Sequence, residues 1–295
     1  MQLRPIFVSV IALLANSAAL ADENLFGYVK GSETLPEHSW EGYTIVTNRQ
    51  DKSVGHYDAW DTQFELEYGV TNKVTVSGAL LGQAVDTNGI VIDGYLPEDN
   101  GTGLEFSGVE ASAKYNFLSP ALDDFGLSGY WELRYNTIDP HSGQDKDTLS
   151  FESILIGQKY FLEGEVVWAG NAGIEATYAK RGHIDNLPPE LEWSTDPETE
   201  IELGLGTALT WRFMPNWFIG AEILYQTEYE TEVGQERYSI FAGPTLHYGG
   251  PRWWATFTWL PQLTGGGEKF EGQDPDYHLI EKTEQEFRLK LGYNF

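Results

Sequence analysis

The 295-residue sequence contains no cysteine and few basic residues. Without cysteine the chain can form no disulfide framework and cannot carry a lipid anchor on an N-terminal cysteine. Lysine and arginine number 18 against 45 aspartates and glutamates, which gives a formal net charge of −27. Because a field of that sign repels nucleic acid and attracts cations, nucleic-acid binding is excluded as a function class.

Long apolar runs are also missing. The longest, residues 6–15 (IFVSVIALLA), is half the ~20 residues that a membrane-spanning helix needs. Arg4 precedes this run and Ala19-Leu20-Ala21 follows it, which is the order of a secretory signal peptide and its cleavage site. We therefore predict that residues 1–21 are a signal peptide and that the exported chain begins at Asp22.

What the sequence does contain is a two-residue alternation of apolar and polar side chains. In the last predicted strand, Phe287, Leu289, Leu291, Tyr293 and Phe295 alternate with charged, polar or glycine residues. Successive side chains of a strand point to opposite faces, so each such segment has one apolar and one polar face. About twelve segments of this kind are predicted, at approximately residues 39–49, 60–70, 73–83, 104–117, 126–137, 148–162, 165–179, 199–213, 217–229, 236–248, 253–261 and 282–295.

The connectors between these segments alternate between short and long. Thr71-Asn72 and Glu163-Gly164 are short, whereas the connectors after the third, seventh and eleventh segments are long. Trp217 and Tyr229 lie near opposite ends of one segment, a rise of roughly 30 Å for a strand tilted by about 40°. Short periplasmic turns, long external loops and paired aromatic girdles are typical of outer-membrane barrels.

We therefore predict an all-β protein, an antiparallel up-and-down transmembrane β-barrel of about twelve strands over residues 39–295. A soluble β-sandwich or a lipocalin-like barrel would show the same alternation, but with the apolar face buried inside. Residues 22–38 are predicted to form a periplasmic N-terminal segment that could enter the lumen as a plug.

Several stretches resemble an uncharacterised family of Gram-negative outer-membrane barrels. They are residues 24–36 (NLFGYVKGSETLP), 40–43 (WEGY) and 65–78 (ELEYGVTNKVTVSG). That family is similar in style to outer-membrane transporters of the phenol-degradation type. The resemblance implies an outer-membrane location among lipid and lipopolysaccharide, with an expectation of transport, and it transfers no catalytic residue.

The C-terminal stretch FRLKLGYNF resembles the strand that the barrel-assembly machinery recognises. Its apolar face is the set of five residues that alternate along the last predicted strand. The resemblance therefore implies an assembly signal formed by Phe287, Leu289, Leu291, Tyr293 and Phe295.

Enzyme signatures are absent. The sequence contains no Gly-x-Ser-x-Gly, no His-Glu-x-x-His and no phosphate-binding loop. A lipid hydrolase would need a lipid-facing serine and histidine on neighbouring strands. His247 is the only histidine within a predicted strand, and the alternation turns it away from lipid. We expect no enzyme and no cofactor, apart from weak divalent-cation binding by the acidic loops that contain His183 and His278.

The polar faces of the predicted strands define the lumen. Twelve strands lie between eight-stranded barrels, which side chains fill, and sixteen-stranded barrels, which leave a channel. The charged lumen residues therefore form either the constriction of a narrow passive channel for small cationic or neutral solutes, or a paired network in a closed barrel. In the second case the acidic loops would bind cations, lipopolysaccharide or a partner. The predicted lumen residues are Asp61, Glu65, Glu67, Glu110, Lys114, Glu132, Arg134, Glu202, Arg212, Glu222, Glu286, Arg288 and Lys290.

Overall fold

The computed structural model describes residues 24–52, 54–90, 100–183, 194–230, 234–267, 269 and 272–295. The predicted signal peptide therefore lies outside the described residues. The described ranges contain one 3-10 turn, Leu162–Gly164, and thirteen strands. These are β1 (Trp40–Gln50), β2 (His56–Thr71), β3 (Val74–Asn88), β4 (Asn100–Gly101), β5 (Glu105–Leu118), β6 (Gly126–Ile138), β7 (Asp145–Phe161), β8 (Val166–Arg181), β9 (Glu198–Met214), β10 (Trp217–Glu230), β11 (Gly234–Gly249), β12 (Trp253–Gly267) and β13 (Gln285–Asn294).

Twelve long strands close into one antiparallel barrel. Each pairs with its neighbours in chain order, except that β3 pairs directly with β5 because β4 is only two residues long. The ring closes where β1 pairs with β13, and the Phe295 amide adds a 3.0 Å hydrogen bond to the Trp40 carbonyl. The predicted architecture is confirmed. In the described part of the chain, no helix has the length and apolar character needed to span a membrane.

The two ends of the barrel differ. We call the end that carries the short connectors, such as Phe161–Val166 and Met214–Trp217, the turn end, and the opposite end the loop end. Strands reach further toward the loop end than the sequence predicts: β3 continues to Asn88 and β12 to Gly267. Pairing continues there because an unpaired backbone amide or carbonyl is costly. His56 consequently begins β2, so the prediction that only His247 lies within a strand was wrong.

The apolar side chains face outward and the charged ones face the lumen. Phe64 and Leu80 are each 57% exposed, whereas Glu65 and Glu67, on the same strand as Phe64, are 3% and 7% exposed. A soluble barrel has the opposite arrangement, so the lipocalin-like alternative is excluded. At the turn end, aromatic rings form part of a girdle, with the Trp253 and Tyr293 ring centroids 4.6 Å apart.

The lumen face of β13 makes a close contact that can be tested. A side chain at Gly292 would overlap the indole of Trp254, which is buried against β1. We expect Gly292→Ala to destabilise the barrel by about 1–3 kcal/mol through overpacking. The measurement is the temperature at which the folded band converts to the unfolded band in electrophoresis. Gly204→Ala is the matched control, because a Cβ there meets nothing within 4 Å; equal effects of both changes would contradict the assignment.

Candidate functional site

Residues 24–37 enter the barrel at its turn end and cross the lumen; we call them the N-terminal segment. Near the rim, the Leu35 amide donates to Thr75 Oγ1 (2.8 Å) and the Glu37 amide to Asn72 Oδ1 (2.9 Å). Further in, Leu25, Phe26 and Val29 of the segment are buried in one apolar cluster against the walls of β8 and β9. The segment thus combines polar anchors with a small apolar contact.

A single carboxylate holds the middle of the N-terminal segment. The amides of Gly27, Tyr28 and Val29 donate to the two oxygens of Glu222 at 2.7, 2.8 and 2.9 Å. Thr258 Oγ1 donates a further hydrogen bond of 2.9 Å to the same carboxylate. Glu222 is fully buried, and successive amides around one anion form a binding nest of charge-assisted hydrogen bonds. Glu222 therefore anchors the segment across the lumen.

Two uncharged residues of the wall add further anchors that the sequence analysis missed. Asn171 accepts from the Lys30 amide (2.7 Å) and donates to the Lys30 carbonyl (2.9 Å). Gln158 accepts from the Ser32 amide at 2.6 Å. The only signal for either residue was its inward position in the two-residue alternation, because neither side chain carries a charge.

The predicted lumen residues Glu286 and Arg288 also contact the N-terminal segment. The Tyr28 hydroxyl donates to Glu286 at 2.7 Å, and the Arg288 guanidinium lies 3.7 Å from the centroid of the Tyr28 ring. Arg288 Nη1 donates to the Gly27 carbonyl at 3.3 Å. One face of β13 therefore binds the segment through a carboxylate and a cation–π contact.

At the loop end, residues 272–284 fold back into the barrel; we call them the mouth loop. The Gln262 amide group donates to the carbonyls of His278 and Thr283, both at 3.0 Å. Lys282 Nζ pairs with Glu202 at 3.0 Å, and Arg237 Nη1 pairs with Glu281 at 3.5 Å. The lumen is therefore narrowed from both ends.

Charged groups around the mouth loop titrate away from their ordinary values. Burial lowers the pKa of Lys52 and of His141, and the nearby positive charges reinforce both shifts. Burial alone would raise the pKa of Glu281, but the positive charges of Arg237 and Lys52 outweigh it and lower that pKa. At neutral pH Glu281 of the mouth loop is consequently ionised, and His141, in the connector between β6 and β7, is neutral.

Between the N-terminal segment and Pro140 lies a cavity of about 270 Å³, bordered by β1, β2, β3, β5, β6 and β13. Lys30 of the segment and nine predicted lumen residues line it, which gives five acidic and five basic side chains. Formal charge in the cavity is therefore balanced, although the whole chain carries −27. The nine are Asp61, Glu65, Glu67, Glu110, Lys114, Glu132, Arg134, Arg288 and Lys290.

An ion-pair network covers one wall of this cavity. Arg134 contacts Glu110 at 2.8 Å and Glu132 at 2.9 Å. Gln63 donates to Glu65 (2.8 Å) and Glu110 (3.2 Å). Buried charges need such partners, because desolvation of an unpaired ion costs several kcal/mol. The cavity can therefore offer both charged and amide groups to a solute.

The remaining predicted lumen residues divide between the two ends. Glu222 and Glu286 bind the N-terminal segment, and Glu202 binds the mouth loop. Arg212 lies near the turn end, opposite Phe218 on β10, and does not border the cavity. The sequence could not separate these roles, because all four positions share the same inward alternation.

The acidic loops are only partly within the described ranges. His278 is buried in the mouth loop, with its carbonyl bonded to Gln262. Residues 184–193, 268, 270 and 271, which carry much of the predicted acidic clusters, lie outside the described residues. Among the residues that are described, no group of three or more histidine, aspartate or glutamate side chains could hold a metal ion.

The barrel is similar to solved outer-membrane structures. An outer-membrane channel from Pseudomonas putida F1 matches with a TM-score of 0.55 and 12% identity over 90% of this chain and 98% of that chain. The β domain of the Bordetella autotransporter BrkA matches with a TM-score of 0.54 and 15% identity over 88% of this chain and 100% of that chain. Identities this low show the fold alone.

No curated protein matches the sequence. A protein family does: the family of unknown function DUF6662 matches residues 18–295. The match includes the N-terminal segment and all thirteen strands. The chain therefore belongs to the family of unknown function DUF6662.

Proposed function

We propose that this protein is a narrow outer-membrane channel for small solutes, closed at rest by its N-terminal segment and its mouth loop. The observation that carries the proposal is the anchoring of the segment by Glu222 across a lumen lined with charged residues. Water can take over such polar contacts when the segment leaves, at a net cost of about 1.5–3 kcal/mol for each hydrogen bond to a charged group. The N-terminal segment can therefore leave the lumen and return to it.

The second candidate is a permanently closed barrel that acts through its surface, and the filled lumen favours it equally. In that case the acidic loops would bind cations, lipopolysaccharide or a partner protein. The two candidates differ in whether the N-terminal segment ever leaves the lumen. Conductance measurements on variants of the segment's anchor therefore separate them.

We propose that the channel lies in the outer membrane in one defined orientation. Export through residues 1–21, assembly through the C-terminal strand and insertion beside lipopolysaccharide would place the turn end in the periplasm. The N-terminal segment would then close the periplasmic side and the mouth loop the external side. The net charge of −27 favours the passage of cationic or neutral solutes over anions.

The first test removes the anchor of the N-terminal segment. Glu222→Ala leaves three buried amides without their acceptor, and hydrogen bonds to charged groups are worth about 1.5–3 kcal/mol each. Three such bonds are worth about 4.5–9 kcal/mol together, so we expect the open fraction in planar bilayers to rise at least about 1000-fold. Glu200→Gln, a lumen carboxylate beside Lys146, is the matched control. Equal conductance of wild type and Glu222→Ala would refute the channel proposal.

A reversible cross-link between the N-terminal segment and the barrel wall tests the same proposal if Glu222→Ala fails to fold. Ser128 Oγ donates to the Ser32 carbonyl, so a short bis-methanethiosulfonate reagent can join cysteines at these two positions through reducible disulfide bonds. The chain has no other cysteine. We expect Ser32→Cys with Ser128→Cys to be silent when cross-linked and to regain wild-type conductance when the cross-link is reduced. Conductance that is the same before and after reduction would show that the segment is no gate.

Acidification should release the mouth loop. His141 and Glu281 both have depressed pKa values in the folded state, against ordinary values of 6.5 and 4.5. Stability from a depressed pKa is present above the ordinary value and is lost as the pH falls below it. Openings should therefore become more frequent below about pH 6.5, and again below about 4.5. His141→Gln should weaken the first change only; closure on acidification would contradict the assignment.

A further inference from the structure

Five glutamates form a continuous line across five neighbouring strands of the lumen wall. Glu132 of β6 lies directly opposite Glu152 of β7, which lies opposite Glu175 of β8. Glu175 lies opposite Glu202 of β9, which lies opposite Glu228 of β10. All five positions belong to the inward face of the alternation. We call these five residues the glutamate track.

The glutamate track climbs the barrel axis. Glu132 is six residues from the turn-end start of β6 at Gly126, whereas Glu228 is eleven residues from the turn-end start of β10 at Trp217. Four steps of ~4.8 Å between strands give about 19 Å of wall, which rises roughly 12 Å for strands tilted by about 40°. The track therefore leads from the level of the N-terminal segment toward the mouth loop.

Like charges directly opposite each other destabilise a sheet, so such a line of carboxylates needs cations. At the upper end, Lys282 of the mouth loop pairs with Glu202, and Arg237 pairs with Glu228 at 3.0 Å. At the lower end, Arg134 contacts Glu132, and Lys30 Nζ of the N-terminal segment lies over the ring of Tyr130, whose hydroxyl donates to Glu132. Both closing elements therefore place an ammonium group beside the track.

The middle of the track differs from its ends. Glu152 and Glu175 form no salt bridge within the part of the chain that the structure describes; Glu175 accepts only a 3.2 Å hydrogen bond from Thr177. The positive charges that act on Glu152 belong to Lys30 of the N-terminal segment and to Arg134, and neither forms a salt bridge with it. Release of the N-terminal segment would remove Lys30 and leave this adjacent pair open to further positive charge. The gap lies in the lumen wall between the lower and the upper end of the track.

The lumen also presents aromatic faces to cations. Lys30 Nζ lies 4.1 Å from the centroid of the Tyr130 ring, beside the lower end of the track. Lys290 Nζ lies 5.6 Å from the centroid of the Tyr43 ring. Carboxylates combined with tyrosine faces recognise organic ammonium groups. The chain's own lysines thus show which kind of group the lumen accepts.

The spacing favours a linear organic cation over a metal ion. Carboxylates on neighbouring strands are ~5 Å apart at their Cβ atoms, so the five do not converge on one point. The described residues accordingly contain no group of acidic side chains that could hold a metal ion. A chain of amines separated by three or four methylenes repeats its charge at a spacing of about the same length.

We propose that the glutamate track binds linear aliphatic polyamines, and that Lys30 and Lys282 occupy its two ends when no polyamine is present. The inference rests on the proposed channel function and names the solute class. A polyamine that competes with both lysines binds better to the open state, and it therefore shifts the population toward opening. The closing elements thus act as tethered competitors of the solute.

Binding is tested on the purified full-length protein in detergent by titration calorimetry with spermidine. Glu152→Gln with Glu175→Gln keeps the side-chain shape and removes two charges from the middle of the track. We expect this pair to weaken spermidine binding at least about tenfold. Glu163→Gln with Glu165→Gln, at the exposed β7–β8 turn, removes the same charge outside the lumen and should leave binding unchanged.

Three results would overturn the inference: no spermidine binding, equal weakening by both charge-matched pairs, or butylamine or Mg²⁺ binding as tightly as spermidine. Equal weakening would mean diffuse attraction by net charge, and tight Mg²⁺ binding would mean a divalent-ion site. Potassium conductance of Glu222→Ala tests the channel separately. Conductance without spermidine binding leaves a channel for other solutes, whereas binding without conductance leaves a closed polyamine-binding barrel.

Discussion

The structure depends first on one constraint: in hydrocarbon, every backbone amide and carbonyl must find a partner within the protein. The pairing of β1 with β13 meets it by removing both sheet edges, and the Phe295 amide extends that pairing to the last residue. Closure of the ring then determines which face of each strand points outward and which lines the lumen. In the proposed membrane setting lipid surrounds the ring, so the apolar half of each strand turns outward and most charged strand residues face a narrow interior.

A narrow interior full of charge is costly unless water or partners reach it. In this barrel much of the partnering comes from the chain itself. The N-terminal segment brings amides to Glu222, and the mouth loop brings Lys282 to Glu202. The same contacts that satisfy the buried carboxylates also obstruct the lumen. In the proposed channel, closing the lumen and neutralising its wall are therefore one physical event, and a soluble cation competes with the closing elements.

The distribution of charge inside the lumen is more informative than its total. The cavity beside β1, β2 and β13 balances five acidic against five basic side chains, whereas the wall from β6 to β10 carries five glutamates in register, of which Glu132 alone also borders the cavity. The net charge of −27 suggested an attraction for cations but no path for them. The glutamate track supplies a path because neighbouring carboxylates lie one strand apart.

The sequence by itself determined the strands, their inward and outward faces and their number, because a period of two is a local property of the backbone. It identified Glu132, Glu202 and Glu222 as lumen residues for the same reason. Only the tertiary structure decided which residues these glutamates meet. Glu222 accepts a hydrogen bond from Gly27, which is 195 residues away. Glu132 lies opposite Glu152 because of the register of β6 against β7. Register follows from bulges and turn geometry summed around a closed ring. An alternation pattern shows which face a side chain occupies, but not which residue it faces.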